Sequence, residues 1–242
     1  MAETGKRAVV TGAGSGIGAA TAKLLMAQGW QVICLDRDLA TATQVAAGGP
    51  VITADVSDEE AVIHAFRRVK EIFGELDALA TCAGIFETTP FFDITAEKYR
   101  RIHDVNVLGT FLCLREGARL MKAGARICTV ASVAGLRGGG LSGTAAYASS
   151  KGAILALTKN AARVLGPSGI AVNTVAPGVI ETPFVAGPLA EPGTRQRLEG
   201  LTSFSRLGTP AEIAEAIAWL LSPNASYVHG ATLVADGGMV MY

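Results

Sequence analysis

Tyr147 and Lys151, in the string Tyr-Ala-Ser-Ser-Lys, have the types and the spacing of a proton-transfer pair. In a helix, residues at i and i+4 project from one face. A phenol titrating near 10 is a poor proton shuttle at neutral pH, and an adjacent ammonium stabilises its phenolate and lowers that value. The pair is therefore expected to act as a general acid/base. Ser132 ends the strand-like run 126–131, where the open end of a parallel sheet would face a ligand, and its hydroxyl is placed to hold a substrate oxygen.

A second constellation lies near the start. The run 7–10 leads directly into Thr11-Gly12-Ala13-Gly14-Ser15-Gly16-Ile17-Gly18, and a helical period follows. Glycines let backbone approach a pyrophosphate, whose charge is stabilised by the free N–H groups and positive end of the helix. Gly12, Ser15, Gly16, Ile17 and Gly18 are the expected contacts. Asp36 ends the next strand-like run, where a carboxylate accepts hydrogen bonds from the adenosine ribose and repels a 2′-phosphate. With no cation at Ser15, NAD is expected ahead of NADP; Arg37 pulls the other way, since a guanidinium there can grip that phosphate. Asp55, followed by Val56, either hydrogen-bonds the adenine amino group or is a turn residue.

These groups need a frame, and the chain supplies an alternating one. Strand-like runs at 7–10, 32–35, 51–53, 78–81, 126–131, 171–175 and 231–234 alternate with helical periods at 17–28, 40–46, 58–73, 96–122, 145–165 and 211–221. This predicts a single-domain, doubly wound α/β Rossmann fold with a seven-stranded parallel sheet. Gly29 is expected to close the first helix in left-handed geometry, Ser57 with Glu60 to cap the third, and Thr209-Pro210 to open the last. The stretch 179–208 lacks a sustained period and reads as a substrate lid.

Composition narrows the function classes. Half of the 242 residues are apolar, 17% are charged and the formal net charge is zero, which gives ample core and no basic excess for nucleic acid or anionic lipid. No apolar run approaches the roughly 18 residues of a membrane span, and the first residues lack a signal pattern, so a cytoplasmic protein is expected. The four cysteines and three histidines are scattered, without the spacing of a disulfide framework or a metal site.

Taken together, these strings resemble the short-chain dehydrogenase/reductase family over nearly the whole chain. The resemblance implies a catalytic set of Asn106, Ser132, Tyr147 and Lys151, with Asn106 holding a water that links Lys151 to solvent. It also implies cofactor contacts from Ala83, Gly84, Pro177, Gly178, Val179 and Thr182, the family having similar strings at Pro177-Gly178, Glu181-Thr182 and Asp236-Gly237-Gly238. Tyr147 would take the alcohol proton as hydride passes to the nicotinamide. One string departs: where the family often has Asn-Asn-Ala-Gly this chain has Thr81-Cys82-Ala83-Gly84, so Thr81 and Cys82 are expected to replace the amide hydrogen bonds, Cys82 structurally.

Val133, Leu141 and Phe184, with Phe86 and Val185 as further candidates, are expected to line an apolar pocket for a small secondary alcohol or ketone, ring-bearing or polyol-like, and Arg137 beside a glycine run is a candidate anion clamp. The alternatives are an NADPH-dependent 3-oxoacyl-acyl-carrier-protein reductase, disfavoured because Gly166-Pro167-Ser168-Gly169 lacks a basic residue, and a non-catalytic cofactor sensor. Apolar residues on several faces of 96–122 and 145–165, with the resemblance, imply a homotetramer.

Overall fold

Short apolar runs become strands β1 (Arg7–Thr11), β2 (Gln31–Asp36), β3 (Val51–Thr53), β4 (Leu76–Thr81), β5 (Met121–Val130), β6 (Ala171–Pro177) and β7 (Thr232–Ala235). All pair in parallel, in the order β3-β2-β1-β4-β5-β6-β7. The computed structural model describes residues 5–139 and 145–241. The doubly wound Rossmann fold read from the sequence is the fold found. The order in which successive strands are added reverses between β1 and β4, which opens a crevice beyond their carboxyl ends, the usual ligand position in such sheets.

Both faces of the sheet are covered, which is why its strands are apolar throughout rather than alternating. Val10, Cys34, Ala80 and Cys128 pack on one face with α1 (Gly16–Ala27) and the last helix, α10 (Pro210–Leu221). On the other face Val9, Ile33, Leu35 and Ile127 meet α3 (Glu59–Phe73), α5 (Gly109–Ala118) and α7 (Ala145–Leu165). The remaining helices are α2 (Leu39–Ala46), α4 (Ala96–His103), α6 (Val133–Arg137), α8 (Ala186–Ala190) and α9 (Thr194–Glu199).

The expected ends hold at two helices. Gly29 takes a φ of 89° after α1, and Thr209 with Glu212 forms a reciprocal capping box on α10. At α3 the cap moves by one residue: Asp58 accepts from the Ala61 N–H, while Ser57 donates its hydroxyl to Asp55 at 2.6 Å. The Asp55 carboxylate takes both the hydroxyl and the N–H of Ser57, which leaves Ser57 unable to cap.

The largest difference concerns 96–122, read as one helix. It is α4, then a π-turn over Asp104–Leu108 in which the Gly109 N–H reaches Asp104, then α5. Met121 and its successors join β5, because the Leu76 N–H bonds the Leu120 carbonyl and pulls the chain into the sheet. The expected lid is partly ordered by α8 and α9; Val179, Leu198 and Leu207 form a small apolar cluster beneath it, and Ile180 bridges to Gly208 at its base.

Candidate active site

The glycine turn is built from close backbone approaches. Gly12, at φ 64°, lies so near Ala83 that a Cβ would sit 2.7 Å from the Ala83 backbone, and one on Gly18 would sit 2.1 Å from the Gly12 carbonyl oxygen. Ser15 precedes α1 without capping it, which leaves the first-turn N–H groups of Gly16, Ile17 and Gly18 facing outward. Asp36 braces the turn by accepting from the Gly14 N–H at 2.8 Å. Across the gap, Thr182 lies within van der Waals reach of the Cβ position of Gly16.

From there a cleft of about 260 Å³ runs over the carboxyl ends of the strands. Every expected cofactor contact lines it: Gly12, Ser15, Gly16, Ile17, Gly18, Asp36, Arg37, Asp55, Val56, Ala83, Gly84, Tyr147, Lys151, Pro177, Gly178, Val179 and Thr182. Asp55 has a second engagement, a salt bridge with Arg101 at 3.2 Å. Burial alone would raise the Asp55 pKa, but hydrogen bonds from Ser57 and Arg101 outweigh it and hold the group below the usual range.

At the far end stand Ser132, Tyr147 and Lys151. Ser132 caps α6 by accepting from the Ala134 N–H at 3.1 Å, which fixes its hydroxyl beside the Tyr147 phenol. Phe86 meets the Tyr147 ring edge-on with centroids 5.1 Å apart, and Phe184 lies 6.2 Å away on the lid side. Burial pushes the phenol up to about 12, and the Ser132 hydroxyl acts in the opposite direction. Lys151, brought down to about 8 by burial, donates to the Val130 carbonyl at 2.8 Å and lies 5.7 Å from the Tyr147 ring centroid. The ammonium is turned to a backbone carbonyl, and burial is the largest influence on both groups.

Asn106, fully buried in the π-turn, does not line the cleft. Its amide holds Ile85 from both sides, accepting from the N–H at 2.8 Å and donating to the carbonyl at 3.0 Å. It nevertheless converges with Lys151, since both side chains come within 4 Å of the Cβ position of Gly84.

Residues 12–240 match the family described as enoyl-(acyl carrier protein) reductase. The cis-4-hydroxycyclohexanecarboxylate dehydrogenase of Sinomonas cyclohexanicum is 39% identical over 240 residues, covering 96% of this chain and 95% of that protein. A 3-oxoacyl-acyl-carrier-protein reductase of Synechocystis sp. is 35% identical over 251 residues, covering 99% and 98%. A short chain dehydrogenase from Burkholderia cenocepacia J2315, solved in complex with NADP, superposes with a TM-score of 0.92 at 34% identity over 99% of both chains. The chain belongs to the short-chain dehydrogenase/reductase family. As a member it is an oxidoreductase acting on alcohol or carbonyl carbons.

The cradle of this short-chain dehydrogenase/reductase fits a nicotinamide dinucleotide. Gly12, Gly14 and Gly18 leave no space for a Cβ, so the backbone is held at the surface a pyrophosphate would approach, with the positive end of α1 behind it. Among the described residues no cluster of His, Cys, Asp and Glu could hold a metal ion.

Not every expected contact falls in the cleft. Val133 lies instead in a small adjoining pocket with Arg137, Leu201 and Met239; Ser132, Gly178 and Val179 belong to both spaces. Leu141 falls outside the described residues. The string Thr81-Cys82 does not replace the family's amides as expected. Thr11 accepts from the Ala83 N–H at 3.2 Å, while the Thr81 hydroxyl is buried with no hydrogen-bond partner among the described residues. Burial pushes the Cys82 thiol up to about 12, which suits a packing role. Ile85, Val105, Val130 and Ala131 also line the cleft. Ala131 directly follows the end of β5, the position that could have flagged it.

Proposed function

We propose an NAD-dependent dehydrogenase/reductase of ring-bearing secondary alcohols and ketones, with Tyr147 as the proton-transfer group. The observation that carries this reading is the contact of the Tyr147 phenol with the Ser132 hydroxyl at the end of a glycine-bounded cleft, walled by Phe86 and Phe184. When bound, the dinucleotide supplies the site for hydride at its nicotinamide ring. Ser132 holds the reacting oxygen as charge develops on it, and Tyr147 gives or takes its proton. Lys151 supplies positive charge near the phenol and Asn106 supports Lys151 through the wall at Gly84. A phenol pushed up to about 12 is protonated at neutral pH, so it is poised as a proton donor for carbonyl reduction. A panel of cyclic alcohols, polyols, hydroxysteroids and hydroxyacyl thioesters assayed with NAD and NADP tests the reading; turnover confined to thioesters would overturn it.

NAD preference rests on Asp36, whose carboxylate lines the cleft at the end of β2. Arg37 beside it is exposed and opposes the effect. In Asp36→Ala the ratio of kcat/KM with NADP to that with NAD is expected to rise about 10- to 100-fold, since a like charge facing the 2′-phosphate is removed. An unchanged ratio in the two cofactor assays would locate discrimination elsewhere.

The substrate's far end is assigned to the adjoining pocket. Arg137 lines it, and among the described residues no hydrogen bond or salt bridge engages this guanidinium. With a ring-carboxylate dehydrogenase at 39% identity, this supports a carboxylate-bearing ring alcohol. Arg137→Ala is expected to raise KM for 4-hydroxycyclohexanecarboxylate about tenfold and leave cyclohexanol unaffected. Equal changes for the two alcohols would reject the assignment.

A homotetramer is proposed on Leu108, Phe111, Val164 and Trp219, large apolar side chains each at least 40% exposed on helices or the π-turn. A cytoplasmic location accords with four free cysteines. The acyl-carrier-protein alternative gains from one relative but lacks a basic patch at Gly166–Ser168.

A further inference from the structure

Between Tyr147 and Lys151 lies a serine that the reaction scheme does not use. Ser150 is fully buried on α7. Its hydroxyl donates to the Tyr147 carbonyl at 2.7 Å, so its single proton is committed. What remains is a lone pair, and the Asn106 side-chain nitrogen donates to it at 3.0 Å.

We propose that Ser150 is a positioning residue that fixes the orientation of the Asn106 amide and thereby keeps its oxygen on the Lys151 side of the catalytic wall. The geometry leaves one orientation. With its own proton given to the Tyr147 carbonyl, the Ser150 oxygen can only accept, so the nitrogen end of the Asn106 amide faces it. The Ile85 N–H can only donate, so the oxygen end must face Ile85, as it does at 2.8 Å. Reversing the amide would set donor on donor and acceptor on acceptor at the Ile85 N–H and carbonyl, and two acceptors together at buried Ser150 unless its proton left the Tyr147 carbonyl. In the observed orientation the Asn106 oxygen lies 3.3 Å, and the Lys151 ammonium 3.7 Å, from the Cβ position of Gly84. An acceptor near that buried ammonium favours its charged form.

The role rests on the proposed catalytic reading and is separable from it. Full-length protein labelled with 15N-asparagine reports the Asn106 side-chain amide, identified by its loss in Asn106→Ala. The wild-type amide protons are expected to exchange slowly, and in Ser150→Ala about tenfold faster or more, while Ser150→Thr, which restores a hydroxyl, keeps them slow. Turnover is measured with NAD and cyclohexanol. Ser150→Ala is expected to lower kcat with little change in KM, to move the break that ends the acid limb of the pH profile downward, because Lys151 gives up its proton more readily without the acceptor, and to add nothing in an Asn106→Ala background. Wild-type exchange in Ser150→Ala, or effects of the two substitutions that simply add, would overturn the role. If cyclohexanol is not turned over by wild type, the substrate reading fails while the exchange experiment still decides the role of Ser150. Should Ser150→Ala not fold, Ser150→Cys, a weaker hydrogen-bonding group of similar size, takes its place and intermediate exchange is expected.

Discussion

Tyr147→Phe is expected to lose about 10³-fold or more in kcat while binding NADH within about twofold of wild type, because it removes the proton-transferring oxygen but keeps the ring and leaves the glycine turn untouched. The ring keeps its contacts with Phe86 and Phe184, and the Phe86 centroid stays 5.1 Å away. The phenol's partner, Ser132, remains oriented by the Ala134 N–H at 3.1 Å. Steady-state rates together with fluorescence titration of NADH separate the two effects. A variant retaining more than about a tenth of the rate would mean that another group moves the proton.

Gly18→Ala is expected to have its large effect on a different quantity. The added Cβ would lie 2.1 Å from the Gly12 oxygen and 2.7 Å from its carbonyl carbon, both backbone atoms. Gly12 cannot retreat, since its own Cβ position is 2.7 Å from the Ala83 backbone. The turn must open, and the α1 N–H groups leave their alignment. NADH affinity is expected to fall about 100-fold or more, with a loss of several degrees in Tm from strain of roughly 1 to 3 kcal/mol. Titration by fluorescence and a thermal melt check both; unchanged affinity would show that the turn does not hold the dinucleotide.

Much of this was legible before any coordinates. The glycine turn and the pair Tyr147 and Lys151 are local patterns: their consequences follow from backbone sterics and helical spacing within a few residues. The sheet was legible for a similar reason, since strands buried on both faces are short apolar runs between turns. What escaped depends on partners distant in sequence. An apolar helical period over 104–118 reads the same whether or not one extra residue is inserted, so the π-turn holding Asn106 left no local mark. Met121 to Ala125 carries no clear strand alternation, and its place in β5 comes from pairing with β4. The direction of Lys151, toward the Val130 carbonyl, and the capture of Ser57 by Asp55 likewise arise only when the elements meet.

Rates of the wild-type protein in both directions between pH 6 and 10 test most directly whether a buried phenol with a nearby ammonium carries the proton. Alcohol oxidation needs the phenolate while Lys151 is charged. With the phenol at about 12 and Lys151 at about 8, kcat/KM is expected to rise about tenfold per pH unit at first and to level off near pH 8, where Lys151 gives up its proton. Carbonyl reduction needs the protonated phenol with charged Lys151, so it is expected to stay level and then fall above pH 8. Opposite profiles of this kind are the predicted result; oxidation independent of pH across the range would contradict proton transfer through Tyr147.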